Sequence, residues 1–220
     1  MENIKKHIKQ LSLNPLSVIV RTKTYEDAQK VLKNTLENGF LFAEITLTVP
    51  NAYELIQESS KKYPKAYIGA GTVLTLEEAK ISIEKGAKYL VSPVYSEEIL
   101  KWSLDNDILY IPGVMTVNEM YHVTQSGAQI FKFYPAVSLK PETLKLIKNP
   151  FPNFKILATG GINLNNIENY FDSGVLAVGI TGILGGISDI VDEKIISNLA
   201  SKYVQIINKI IQKRGKSLNE

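Results

Sequence analysis

Short apolar or alternating runs recur along the chain, each followed by an amphipathic stretch. The runs predict strands near 16–21, 41–48, 66–71, 88–92, 108–112, 129–134, 155–159 and 174–179. Between them, 25–38, 51–62, 76–85, 96–105, 116–126, 140–148 and 163–172 carry apolar residues at helical spacing. Further helical segments open the chain (2–12) and close it (189–213). Strands alternating with helices in this way predict parallel βα units. The expected fold class is α/β, a TIM-type (β/α)8 barrel, as a single domain over residues 1–220 with an extra N-terminal helix. An open doubly wound sheet is the competing architecture, but IGAGT (68–72) lacks the third glycine of the dinucleotide fingerprint. Gly39, Gly86, Gly127 and Gly174 fall where a helix ends and a strand follows, which suits the left-handed position after a helix.

Alternation within the strands sorts the side chains into two faces. In LFAEITLTV, Leu41, Ala43, Ile45, Leu47 and Val49 form an apolar set expected beneath the helices. Phe42, Glu44, Thr46 and Thr48 form the other set, so Glu44 is expected inside the barrel. A carboxylate there is unfavourable unless it is paired or used. In AQIFKFYPA, Lys132 shares a face with Ile130 and Tyr134, opposite Phe131 and Phe133. In LSVIVRT, Arg21 shares a face with Ser17 and Ile19, opposite Leu16, Val18 and Val20. Three charged groups thus fall late in three strands, all on inward faces, and active sites of such barrels lie at the C-terminal strand ends. Each also has a plainer reading: an Arg–Glu pair can neutralise itself inside a barrel, and a strand-end lysine can reach solvent along its stem. Their convergence favours chemistry.

A lysine attacks a ketone as the free amine, and at pH 7 roughly one unperturbed lysine in a thousand is in that form. Apolar burial, or a neighbouring cation such as Arg21, favours the free amine. The protonated imine that follows is an electron sink, and Glu44 is the inward candidate for moving protons. A second cluster suggests phosphate. Gly160-Gly161 lie between a strand and a helix with Asn163 as expected N-cap, and the last strand runs into Gly179, Thr181 and Gly182. Loops after the last two strands frequently hold phosphate in these barrels, although such glycines can also simply make tight turns.

Composition narrows the field. With no cysteine, thiolate chemistry, disulfides and Cys-ligated metals are excluded, and His7 and His122 alone cannot make a His-rich zinc site. A net charge of +3 with dispersed lysines gives no nucleic-acid stripe. No apolar run is long enough to span a membrane, and the opening residues lack a signal-peptide core, so a soluble cytoplasmic protein is expected.

Taken together, Glu44-Ile45-Thr46, IGAGTV (68–73), Ser92-Pro93, Ile111-Pro112-Gly113, Phe131 to Ala136 and Thr159-Gly160-Gly161-Ile162 resemble the 2-keto-3-deoxy-6-phosphogluconate / 4-hydroxy-2-oxoglutarate aldolase family, from Val18 to Leu184. The resemblance implies a class I aldolase with Lys132 as Schiff-base lysine and Glu44 as general acid/base. It implies that Arg21 and Thr72 bind the substrate carboxylate and that Thr48, Pro93 and Tyr134 line the pocket. Gly160, Gly161, Gly179, Thr181 and Gly182 would receive phosphate. It implies small-molecule substrates such as a keto-deoxy acid phosphate and pyruvate, a homotrimer, and neither metal nor organic cofactor. Thr48 stands where some members carry an arginine, and Tyr134 where many carry phenylalanine. Thr181 or Gly182 replaces a frequent serine. A sugar-phosphate epimerase or isomerase on the same barrel, and a non-catalytic phosphometabolite-binding protein, are the competing functions.

Overall fold

Eight parallel staves form a barrel ringed by helices in the computed structural model, which describes residues 1–188 and 190–217. The chain runs α1 (Glu2–Leu13), β1 (Leu16–Val20), α2 (Tyr25–Glu37), β2 (Phe42–Thr46), α3 (Ala52–Lys62), β3 (Tyr67–Gly71) and α4 (Leu76–Glu84). It continues through β4 (Tyr89–Val91), α5 (Glu97–Asp105), β5 (Leu109–Ile111), β6 (Gly113–Val114), α6 (Val117–Gln125) and β7 (Phe131–Phe133). A 3-10 turn at Ala136–Ser138, α7 (Pro141–Lys148), β8 (Ile156–Thr159), α8 (Ile167–Asp172), β9 (Ala177–Ile180) and α9 (Glu193–Ser217) complete it. The order in the sheet is β5-β4-β3-β2-β1-β9-β8-β7-β6. Segments β5 and β6 are one stave interrupted at Pro112, which has no N–H to give a ladder. One half pairs with β4 and the other with β7, so this stave joins the two edges and closes the ring.

The expected alternation of strand and helix is present, and the boundaries move for local reasons. Thr24 and Ser96 cap α2 and α5 by accepting from the N–H groups of Asp27 and Ile99. Thr75 with Glu78, and Thr116 with Glu119, form reciprocal capping boxes that set the starts of α4 and α6. The four glycines expected after helices all take positive φ, from 85° at Gly174 to 105° at Gly127. The helix expected from 163 begins at Ile167 instead. Asn163 does not cap it: its side chain accepts from the N–H of Asn165, while its own N–H donates to Asn166 Oδ1, so 163–166 is a turn. The helix expected over 189–213 is observed from Glu193, and residue 189 lies outside the described residues.

Two apolar clusters divide the interior. The outer one lies between strands and helices and contains Leu16, Val18, Val20, Ala43, Ile45, Phe131 and Phe133, the set that alternation assigned to the helix side. The inner one contains Phe42, Tyr89, Val91, Leu109, Ile111, Ile130, Leu157 and Ala177 together with Ile4, Ile8 and Leu11 of α1. Helix α1 is therefore the plug of the N-terminal end of the barrel. Burying each of its three large aliphatic side chains is worth about 1.5–3 kcal/mol.

The start of α1 has no capping side chain of its own. Asp107, in the tight turn between α5 and β5, supplies one from a distance. Its carboxylate accepts from the N–H groups of Asn3 and Ile4 at 3.0 and 3.1 Å, and its carbonyl accepts from Asn3 Nδ2 at 3.1 Å. These bonds, that from Asn3 foremost, pull the Asp107 carboxyl down to about 2. A carboxyl depressed on folding contributes stability above its unfolded value near 3.9, and loses it as pH falls toward the folded value. Asp107→Asn should therefore melt below the parent at pH 7, by a few degrees for a cap of ordinary strength. The gap should narrow steadily between about pH 5 and pH 2 in thermal unfolding scans. A gap that does not change with pH would mean that ionisation of Asp107 is irrelevant to the plug.

Candidate active site

Strands β2 and β7 stand on different sides of the barrel and send one charged side chain each toward its axis. Glu44 lies mid-strand in β2, paired in register with Ile19 of β1 and Gly69 of β3. Lys132 is central in β7, paired with Gly113 and Leu157. Their side chains meet, with Lys132 Nζ 3.5 Å from Glu44 Oε1. Glu44 is 1% exposed and Lys132 5%. Two charges so removed from water would each lose several kcal/mol of solvation, which their contact offsets. The 3.5 Å separation is long for a charge-assisted hydrogen bond, whose heavy atoms usually stand about 2.7–2.9 Å apart, so the two groups touch without being locked together.

On one side of the pair lies Tyr134, just past β7. Its ring centroid is 5.4 Å from Lys132 Nζ, and the side chain is 43% exposed. The other edge of that ring packs on Gly160, where a Cβ would sit 3.0 Å from Tyr134 Cδ2. Gly160 and Gly161 take φ of 90° and 82°, and a Cβ on Gly161 would collide with Val137. The two glycines let the loop after β8 lie directly against residues 134–137, and Val137 N donates to Gly160 O at 3.2 Å.

Arg21 and Thr72 come together at the mouth. Arg21 Nη2 donates to Thr72 Oγ1 at 2.9 Å. Thr72 has φ of 59°, a left-handed conformation that a β-branched residue rarely adopts and that strains the backbone by about 1–3 kcal/mol. The Lys132 amine has Glu44 as its ion-pair partner, and Arg21 bonds to Thr72. Thr48 is exposed on the rim, with its hydroxyl 2.9 Å from that of Thr46, which in turn donates to Val20 O. Pro93 lies on the rim after β4, its carbonyl against the Cα of Gly113, where no side chain would fit.

Two depressions open among these loops. One, about 680 Å³, is lined by Arg21, Lys23, Thr48, Pro50, Ile187 and Ser188. The other, about 520 Å³, is lined by Gly161, Thr181 and Gly182 with Ile162, Ile183 and Leu184, and Ile187 is shared by both. Among the described residues no charged side chain lines the second depression. Gly179 is a different kind of residue from its neighbours Thr181 and Gly182. It is a buried strand position, where a Cβ would press on Ile19 Cδ1 and Thr159 Cγ2, both at 2.8 Å. It shapes the wall rather than the rim.

Thr159 was not anticipated. It ends β8 on the same inward face as Leu157, is 1% exposed, and its hydroxyl has no hydrogen-bond partner. An orphaned hydroxyl in a barrel interior is disfavoured by about 1–3 kcal/mol unless something binds it. The signal is in the run ILAT, where a polar residue closes the inward face, as Thr46 does in β2. Among the described residues no group of three or more His, Asp or Glu side chains converges in a way that could hold a metal. No helix of the described residues is long and apolar enough to cross a membrane.

Comparison with known proteins bears on this geometry. The family model described as "Aldolase: KDPG and KHG aldolase" matches residues 4–207. A 2-dehydro-3-deoxy-phosphogluconate aldolase of Pseudomonas aeruginosa is 35% identical over 148 residues, 66% of this chain and 67% of that protein. A KHG/KDPG aldolase of Escherichia coli is 32% identical over 171 residues, 77% of this chain and 80% of that protein. Among solved structures, a KDPG aldolase from Legionella pneumophila, with pyruvate captured as a covalent carbinolamine, superposes with a TM-score of 0.77 at 29% identity, covering 87% of this chain and 93% of that one. The 2-keto-3-deoxy-6-phosphogluconate aldolase of Zymomonas mobilis superposes with a TM-score of 0.80 at 27% identity, covering 89% and 95%. The chain belongs to the KDPG and KHG aldolase family.

Proposed function

We propose that this protein is a class I aldolase that reversibly cleaves 2-keto-3-deoxy-6-phosphogluconate, or a closely related 2-keto-3-deoxy or 4-hydroxy-2-oxo acid, into pyruvate and an aldehyde such as glyceraldehyde 3-phosphate. The observation that carries this reading is the sealed contact of Lys132 with Glu44, in a chain of this family.

The chemistry follows from the two side chains. The neutral amine of Lys132 adds to the C2 ketone and gives a carbinolamine. Glu44 delivers the proton that lets hydroxide leave as water, and a protonated imine remains. That cation is the electron sink. When the C4 hydroxyl gives its proton to the Glu44 carboxylate, the C3–C4 bond breaks, its electron pair becomes the enamine, C4 departs as the aldehyde, and the protonated Glu44 is the acid for C3 in the next step. Protonation of C3 restores the imine of pyruvate, and water releases the product and the lysine. Arg21 and Thr72, already bonded to each other at the mouth, are suited to hold the substrate carboxylate. Thr48, Pro93 and Tyr134 border the space between, and the unpartnered hydroxyl of Thr159 is suited to a substrate oxygen. A phosphate on the aldehyde side would rest on the backbone around Gly160, Gly161, Thr181 and Gly182, at the end of the strand that holds Gly179. The family resemblance also supports a homotrimer working in the cytoplasm. An epimerase or isomerase on the same barrel would use Glu44 as a base and Lys132 only as an electrostatic group, with no covalent adduct to pyruvate.

Replacing Lys132 by Ala should lower kcat by at least about 10⁴-fold while the fold survives with a lower melting temperature, since Glu44 loses its partner. Normal turnover by that variant would end the assignment. Glu44→Gln should slow turnover about 10²- to 10³-fold and slow hydrogen exchange at the pyruvate methyl group, measured by NMR in deuterated water. Arg21→Ala should raise KM about 10- to 100-fold with a smaller change in kcat, and a KM equal to the parent's would place the carboxylate elsewhere. Thr159→Val, which replaces an orphaned hydroxyl by a methyl group of similar size, should melt no lower than the parent yet turn over about tenfold more slowly. A panel of phosphorylated and unphosphorylated keto-deoxy acids, read by released pyruvate, identifies the aldehyde. Preference for unphosphorylated acids would exclude the glycine loops as a phosphate site.

A further inference from the structure

Glu44 stands opposite Gly69 in the register of β2 and β3, yet its carboxylate does not fill the space beside Gly69. That space belongs to Tyr89: a Cβ on Gly69 would run into its ring, 2.5 Å from Cε1 and 2.6 Å from Cε2. The carboxylate instead occupies the space beside Gly71, where a Cβ would lie 2.7 Å from Glu44 Cδ. Gly71 is two residues nearer the mouth, about 6.6 Å along the strand. Tyr89 is buried, and it is braced from below by an aromatic column. Its ring meets Phe42 at 5.8 Å, Phe42 stacks on Tyr67 at 4.6 Å, and Tyr67 meets His7 of the plug α1 at 5.2 Å. The phenol is 3.5 Å from Ser17 Oγ, too far to hold the ring by itself. Burial, and after it the charge of Glu44, pushes that phenol above its usual range, as expected for neighbours.

We propose that Tyr89 is a positioning residue for the reaction: its ring is the floor that keeps the Glu44 carboxylate raised against Lys132. The inference rests on the roles proposed for those two residues. Without the ring, the carboxylate gains a second resting place beside Gly69, one pleat below the amine. A displacement of about 1 Å in a catalytic group can cost 10²-fold in rate, and this one is larger. The paired glycines of the GAG run in β3 then have one joint purpose, to leave room for the ring at one level and for the carboxylate at the next.

The test compares Tyr89→Ala, Tyr89→Phe and Gly71→Ala in the full chain. It measures kcat, KM and the fraction of protein that borohydride converts, with pyruvate, to a Lys132 adduct seen by mass spectrometry. Tyr89→Ala should lose at least about tenfold in kcat per trappable site, with KM within about twofold and the adduct still forming. Tyr89→Phe, which keeps the ring, should stay within about twofold of the parent. Gly71→Ala leaves Tyr89 intact and evicts the carboxylate, so it should reproduce the loss seen with Tyr89→Ala. It decides the matter if Tyr89→Ala does not fold. Parental kcat per trappable site in a folded Tyr89→Ala, or in Gly71→Ala, would overturn the proposal, as would a Tyr89→Phe loss as large as that of Tyr89→Ala. An untrappable parent protein would overturn the lysine assignment itself, an outcome distinct from a trappable parent with indifferent variants.

Discussion

A lysine and a glutamate in contact inside a ring of eight strands constrain the rest of this molecule. Neither charge is tolerable there alone, since an isolated ion in a dry interior is disfavoured by several kcal/mol even after relaxation. Keeping them together requires a barrel, because β2 and β7 are far apart in sequence and meet only across a closed sheet. It also requires empty space at the right levels. Gly71 leaves room for the Glu44 carboxylate, and Gly113, beside Lys132, lets the segment at Pro93 approach. The glycines of the inner face are thus part of the same constraint as the charges.

The two ends of the barrel divide the labour. At the N-terminal end, α1 fills the opening with Ile4, Ile8 and Leu11, and Asp107 ties down its first turn. This end is largely apolar, and it too holds a left-handed residue, Asp107 at φ 54°, and a buried ring nitrogen of His7 without a hydrogen-bond partner. The C-terminal end holds a buried ion pair, the left-handed Thr72 and the orphaned hydroxyl of Thr159. What distinguishes the C-terminal end is the buried ion pair, the one of these features that carries charge into the barrel.

Much of this was legible in the sequence because a strand's side chains alternate with period two. That single rule placed Glu44 and Lys132 inward and Ala43, Ile45, Phe131 and Phe133 outward, as the two apolar clusters have it. The glycines after helices were equally plain, since few other residues accept their φ. What escaped depended on contacts between distant segments. That α1 plugs the barrel, and that Asp107 caps it across more than a hundred residues, leaves no local trace. The turn at 163–166 reads as a helix start because asparagine serves both purposes. The contact of Arg21 with Thr72 is equally silent in the sequence, since a strand reading gives faces but not which groups on one face will touch. Thr159 could have been found by the same alternation that found Glu44.

Everything in the reaction depends on the Lys132 amine bonding covalently to a keto group beside Glu44. Reduction of the protein by borohydride in the presence of pyruvate, followed by peptide mapping, reads that bond directly. One pyruvate-derived adduct is expected, carried by Lys132 and missing from the Lys132→Ala variant. An adduct on another lysine, or none in protein that releases pyruvate from its substrate, would contradict it.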